Sequence, residues 1–165
     1  MRKYLGIISI GFLLYTSLAA ADGNPKANGL DYPEGYRKWS HVKTQIVTES
    51  HPRFESIGGI HHIYANDLAM VGYLNGKFPE GSTIVFDLLE LNKKDSSLVE
   101  GKRRWIGVME KSTRKYAKTG GWGYENFDGD SKINRNVRVN GPATNCVACH
   151  LPQKSNDFIF SKFRE

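Results

Sequence analysis

The run Cys146-Val147-Ala148-Cys149-His150, close to the C-terminus, constrains this chain more than any other feature. Two thiols three positions apart, with an imidazole directly after the second, are what covalent attachment of a c-type haem requires. Each thiol adds across one haem vinyl group, and the adjacent histidine then lies under the iron. The same residues also fit a disulfide or half a zinc site. A zinc site wants a second Cys or His pair at matching spacing, and the sequence has no such pair. A redox dithiol sits near a helix N-terminus in a βαβ unit, which this chain lacks. The motif therefore predicts one covalent haem c, held by Cys146 and Cys149, with His150 as axial iron ligand.

The other end of the chain supplies a matching context. Arg2 and Lys3 precede the apolar run Leu5 to Leu18, and Ala19-Ala20-Ala21 offers small residues for cleavage before Asp22. That pattern reads as a secretory signal peptide over residues 1–21, too short and wrongly flanked for a membrane span. The expected location is the periplasm, with no membrane span after signal removal. Residues 22–30, polar with Gly, Asn and Pro, read as a flexible leader. Residues 31–165 then form a single haem-binding domain.

The formal net charge is +6, of which Arg2 and Lys3 belong to the signal. Basic clusters at Lys102-Arg103-Arg104, Lys111 to Lys118 and Lys132 to Arg138 are interleaved with apolar residues. Solvated strand faces account for them better than a nucleic-acid surface, and no nucleic-acid partner is expected.

The pattern of elements is β-rich. Asp31 to Trp39 reads as a short helix with Pro33 in its first turn. Val42 to Val47 and Ile60 to Ala65 read as strands, the second with Ile60, His62 and Tyr64 on one face. Asn66 caps a short helix carrying Leu68, Val71 and Leu74, which Asn75-Gly76 ends. Ser82 to Leu91 is the clearest strand, with Ile84, Phe86 and Leu88 together on one side. Asn92 to Gly101 reads as a charged loop, Arg103 to Lys111 as a strand bearing Trp105, and Gly120 to Asp130 as a glycine- and aromatic-rich loop. Pro142 opens a short haem-bearing helix, and Pro152 prevents its continuation past Leu151. The expected fold class is α+β, mainly antiparallel β-sheet with short flanking helices and a C-terminal c-type haem helix.

This organisation separates the chain from other haem proteins. Small electron-transfer cytochromes carry the motif near the N-terminus and an axial methionine downstream; here Leu151 to Glu165 contains no methionine. Met70 and Met109 lie upstream, within a predicted helix and strand, where packing is the expected role. Helical cytochromes c′ also carry a C-terminal motif, but seventeen glycines and several strand-like runs argue against a four-helix bundle.

Five segments in order carry a resemblance: Gly35-Tyr36-Arg37-Lys38-Trp39, His61-His62-Ile63-Tyr64-Ala65-Asn66, Phe78-Pro79-Glu80-Gly81, Gly120-Gly121-Trp122-Gly123-Tyr124-Glu125, and Cys146 to His150. Together they resemble the cytochromes c′-β, which share a fold with hydroxylamine-oxidising cytochromes whose haem is cross-linked to a lysine. The resemblance implies a homodimer with His150 as the proximal ligand. It also implies a split on the opposite, distal side. The oxidising relatives place their lysine on the strand after the Pro-x-Gly turn, and alignment through Pro79-Glu80-Gly81 puts Phe86 at that position. The gas-binding members cap the iron with two phenylalanines, a pattern that Phe86 and Phe54 fit. Lys77, Lys93 and Lys94 lie close enough to supply an amine in another register.

The resulting expectation is a periplasmic mono-haem c-type cytochrome with five-coordinate iron and an apolar distal pocket. Its partners would be nitric oxide, carbon monoxide and a redox partner protein. A hydroxylamine-oxidising enzyme and an electron-transfer cytochrome are the alternatives. Arg53, Glu125 and Asp128 are candidate polar groups at the pocket rim. His61 and His62 are adjacent on a strand, so one faces inward and one outward. An inward histidine is more often hydrogen-bonded core than an iron ligand.

Overall fold

The computed structural model describes residues 29–135 and 144–164. The expected signal peptide and most of the expected leader lie outside these residues. Leu30, assigned to the leader, is buried, and its carbonyl accepts a hydrogen bond from Arg135.

Five antiparallel strands form one meander in the order β1-β2-β3-β4-β5. They run over Ser40–Val47, Gly59–Ala65, Thr83–Lys94, Ser97–Lys111 and Trp122–Asp128. Three short α-helices flank them: α1 at Phe54–Ile57, α2 at Asp67–Asn75 and α3 at Thr144–His150. The α+β class and the helix near the C-terminus agree with the sequence reading. Among the described residues no helix is long and apolar enough to cross a membrane.

Alternation along the strands gives the sheet two buried faces. Ile63, Phe86, Gly107 and Asn126 stand in register across β2 to β5, and Ala65, Ile84, Met109 and Tyr124 form the next row of the same face. The opposite face carries Tyr64, Val85, Val108 and Phe127, closed by Leu30 and Tyr36. Because a strand side chain switches faces at each residue, a one-residue slip would exchange these two sets.

Three expected elements differ. The run expected as a charged loop, Asn92 to Gly101, is paired strand: Asn92 opposes Val99 and Lys94 opposes Ser97. Asp95 and Ser96 both take positive φ, 46° and 62°, the geometry of a two-residue hairpin turn that matches strand twist. Side chains there are exposed on both faces, so no apolar alternation marked the strand. The glycine-rich run before Asp130 contains β5. In place of the first expected helix stands a single 3-10 turn, Tyr36–Lys38.

Helix α2 forms where expected, with the Asn66 side chain accepting from the Ala69 amide at 2.9 Å and Gly76 ending it at φ 75°. Such a cap contributes about 1 kcal/mol. Its buried face, however, is Ala69 and Gly72, while Leu68, Val71 and Leu74 are exposed. Close approach explains this. A Cβ on Gly72 would come within 2.2 Å of the Phe78 ring, so the small residues face the core.

Helix α3 ends at His150, and Leu151–Asn156 continues as a 3-10 turn with Pro152 in its first positions. The α-helix thus ends before Pro152 as expected, and the chain tightens into the 3-10 turn before Asp157 and Phe158 take positive φ. Lys111 holds this bend: its Nζ lies 2.6 Å from Asp157 Oδ1 and over the Trp122 ring.

Candidate functional site

Helix α3, the bend after it, and one face of the sheet enclose a cavity of about 630 Å³. That size falls in the ordinary range for sites holding a compact organic ligand. Its wall on the sheet side includes His61, Ile63, Phe86, Trp105, Met109 and Tyr124; its wall on the helix side includes Cys146, Cys149, His150 and Phe160. A second hollow, lined by residues 93–98, is open surface at the β3–β4 hairpin tip, away from this chemistry.

The three motif residues come together on one wall. Both cysteines are free thiols and half-buried. Burial first, then the neighbouring Cys149 and Glu125, pushes the Cys146 thiol up. His150 Nδ1 lies 2.7 Å from the Phe158 carbonyl. A carbonyl only accepts, so Nδ1 carries the proton and donates. Burial holds the imidazole below its ordinary pKa, with Arg53 acting the same way and the Phe158 bond opposing. A neutral ring protonated on Nδ1 leaves the Nε2 lone pair available to a metal. Tyr124 and Phe160 fix the ring from two sides, at centroid distances of 5.2 and 5.0 Å.

The sheet wall is built from aromatic rings. Phe86 stacks on Trp105 at 4.8 Å and 22°, and on His61 at 4.3 Å and 32°. These three rings, from β2, β3 and β4, make one stack across the sheet. Gly107, opposite Phe86, leaves the space: a Cβ there would meet the Trp105 ring at 2.9 Å and Asn126 Oδ1 at 3.1 Å. Trp105 Nε1 donates to the Ser56 carbonyl at 3.1 Å, and Arg104 reaches the Glu55 and Gly58 carbonyls, so α1 is tied to β4. Arg53, just before α1, places Nη1 2.8 Å from Cys149 Sγ.

The predicted residues separate as follows. Phe86 and Arg53 line the cavity, with Cys146, Cys149 and His150. Phe54 is not among the lining residues; its ring lies against Gly58. Glu125 faces the other side of the sheet beside Arg135, and Asp128 is exposed. Met109 is in the lining, and Met70 packs against the core. Lys77, Lys93 and Lys94 are not in the lining, and Lys43 on β1 is exposed at its edge. Of the histidine pair, His61 faces the cavity, whereas His62 bonds Thr44 at 2.8 Å and Glu100 at 2.7 Å on the opposite face.

Sequence reasoning missed Trp105, Tyr124 and Asn126 as wall residues. The signal existed for two of them. Tyr124 and Asn126 share the period-2 alternation of β5, which was read as loop. Two buried polar atoms lack any hydrogen-bond partner, His61 Nδ1 and Tyr124 Oη, and both residues line this cavity. Each such orphan costs about 1–3 kcal/mol unless something else occupies its lone pair or proton. Among the described residues no cluster of His, Cys, Asp and Glu has metal-holding geometry.

The donor set thus suits a large, flat, mostly apolar group carrying its own metal: two thiols, one oriented imidazole and an aromatic wall. No match to this chain is found among curated proteins. The family model for Cytochrome P460 matches residues 33–161, nearly the whole described domain. That is the family of the cytochromes c′-β and of the lysine-cross-linked hydroxylamine-oxidising cytochromes. The chain belongs to it and is a haem c protein of this family.

Proposed function

We propose that this protein is an exported mono-haem cytochrome whose cavity admits nitric oxide and carbon monoxide to a five-coordinate iron. The haem, when bound, supplies an iron with an open position for a diatomic ligand. Cys146 and Cys149 would hold it by thioethers, each thiol adding S–H across one vinyl C=C. His150 offers Nε2 to the iron, fixed by the Nδ1 bond to Phe158. Lys43 and Arg53 are cations in the cavity lining and would pair with the haem carboxylates. Phe86 and Trp105 exclude water and crowd the open side.

The observation that carries this reading is Phe86 in the cavity wall. By the resemblance it stands where the oxidising relatives have a lysine, and a phenyl ring cannot form a nitrogen–carbon cross-link. Nitric oxide and carbon monoxide depend little on a hydrogen-bond donor, so a phenyl wall favours them over ionic ligands, which lose hydration on entry. The second cap residue that the resemblance implies, Phe54, stands outside the lining against Gly58, and Trp105 is the ring that stacks on Phe86 there. An electron carrier would instead need a sixth iron ligand, for which the lining offers Met109 and His61.

The absorption spectrum of the purified ferrous protein, alone and with each gas, tests the reading. A five-coordinate band that shifts on adding carbon monoxide supports it. A six-coordinate spectrum without gas response would assign electron transfer, and a displaced ferrous band like that of cross-linked enzymes would assign hydroxylamine oxidation. We also propose a periplasmic homodimer that meets a redox partner. Sedimentation at moderate salt showing only monomer contradicts the dimer.

A further inference from the structure

His61 is the least explained residue in the cavity. It is 6% exposed, its Nδ1 has no partner, and its ring lines the cavity beside Phe86. Its neighbour on the other face is its opposite in this respect: His62 is held at both nitrogens, by Thr44 and by Glu100. Burial, and secondarily the charge of His62, lowers the His61 pKa to about 4, so the ring is neutral at physiological pH. A neutral imidazole carries one donor and one acceptor. A buried ring with an unmet nitrogen is costly as pure core. Leu or Phe at this position would fill the space without that cost.

Resting on the haem reading above, we propose that His61 is a ligand-contacting residue that hydrogen-bonds a small polar species held in the cavity. The sheet wall is then mostly apolar side chains and rings, with His61 a buried polar group set among them. The aromatic stack sets where that group lies: Phe86, between His61 and Trp105, packs against the imidazole at a centroid distance of 4.3 Å. Carbon monoxide gains little from such a group. A species with more charge on its terminal atom, an anion or an N–O compound, gains a partner that a purely phenyl wall would deny. His61 is therefore the residue that widens the ligand class from neutral diatomics to small polar nitrogen and oxygen species. Asn126 Oδ1 and Tyr124 Oη, on β5, are the other polar atoms on this wall.

The test uses the haem-loaded protein with azide as probe for the ferric form and carbon monoxide for the ferrous form. In His61→Phe, azide should bind about 2- to 10-fold more weakly, the range one net hydrogen bond supplies. The infrared azide stretch should lose its shift between H2O and D2O. His61→Gln, which keeps a donor, should recover most of the affinity. Carbon monoxide affinity should change far less than azide affinity in both variants. Equal azide binding in wild type and His61→Phe would overturn the proposal. So would a resting six-coordinate spectrum that becomes five-coordinate in His61→Phe, because His61 would then be an iron ligand. If neither variant folds, the wild-type azide complex decides: no D2O shift overturns the proposal, and a shift supports it. A purified wild-type protein without haem would instead defeat the haem reading itself.

Discussion

Phe86 and Asp87 are neighbours on β3, yet they belong to two different environments. Asp87, fully buried on the closed face, accepts from Tyr36 Oη at 2.7 Å, from Arg103 Nε at 2.6 Å and from Arg37 Nη1 at 3.2 Å. Arg103 also reaches Asp130. Tyr36 is held protonated by burial and by this carboxylate, and Arg103 is held charged by Asp87 against the cost of its own burial. On the open face, Phe86 borders the cavity, and the polar atoms of His61 and Tyr124 go unpartnered. One face has its charges matched internally. The other keeps partners for something the chain itself does not provide. A buried polar group that is satisfied speaks for structure, and one that is left over marks a site.

Breaking the closed face should have the largest effect on stability and little on the haem. Asp87→Ala leaves the Tyr36 hydroxyl without its partner and the largely buried Arg103 with only the exposed Asp130, so it should lower unfolding free energy by about 3–5 kcal/mol. Urea denaturation measures the loss, and the haem spectrum of the remaining folded protein should match wild type. A changed spectrum would show that the two faces are not separable.

Acid should attack the open face. His61 is neutral when folded down to about pH 4, whereas an unfolded histidine takes its proton near 6.5. The unfolded state therefore binds more protons in that window. Stability from this group is complete above about pH 6.5 and is lost as pH falls toward 4, by about 3 kcal/mol. His61→Phe should lose less stability than wild type on acidification from pH 7 to 4, as followed by thermal melting.

Phe86→Ala should cost about 2–3 kcal/mol, below the figure for a fully enclosed phenylalanine because the ring already borders a cavity. Its more telling effect is kinetic: carbon monoxide should associate faster, since no ring has to move aside. Stopped-flow rates that match wild type would reduce Phe86 to a packing residue. Smallest of all, Arg37→Ala should cost at most about 1 kcal/mol, because that side chain is 46% exposed and Asp87 keeps its two stronger partners.

The contrast between the faces explains how much the sequence revealed. Ile84, Phe86 and Leu88 declared their side of β3 by simple alternation, and the Cys146-to-His150 motif declared the helix wall. Asn66 and Gly76 bounded α2 correctly because capping is local chemistry. Which face of α2 is buried is not local: Gly72 packs against the Phe78 ring, so the small residues face the core, which depends on a tertiary contact. The hairpin at Asp95-Ser96 has both faces wet, so its strands carry no apolar alternation and read as loop. Trp105 was visible as a strand residue, but nothing local said that Gly107 opens the space its ring shares with Phe86. That the inward histidine, His61, lacks a partner is a property of packing from three strands, and only the assembled wall displays it.

The haem c proposed to close the open face would be held covalently by Cys146 and Cys149. Intact mass of the purified protein after acid–acetone extraction tests it most directly. The chain should retain the mass of one haem, and a Cys146→Ala, Cys149→Ala double variant should lose it under the same treatment. A wild-type chain stripped to the bare polypeptide mass would rule out covalent haem.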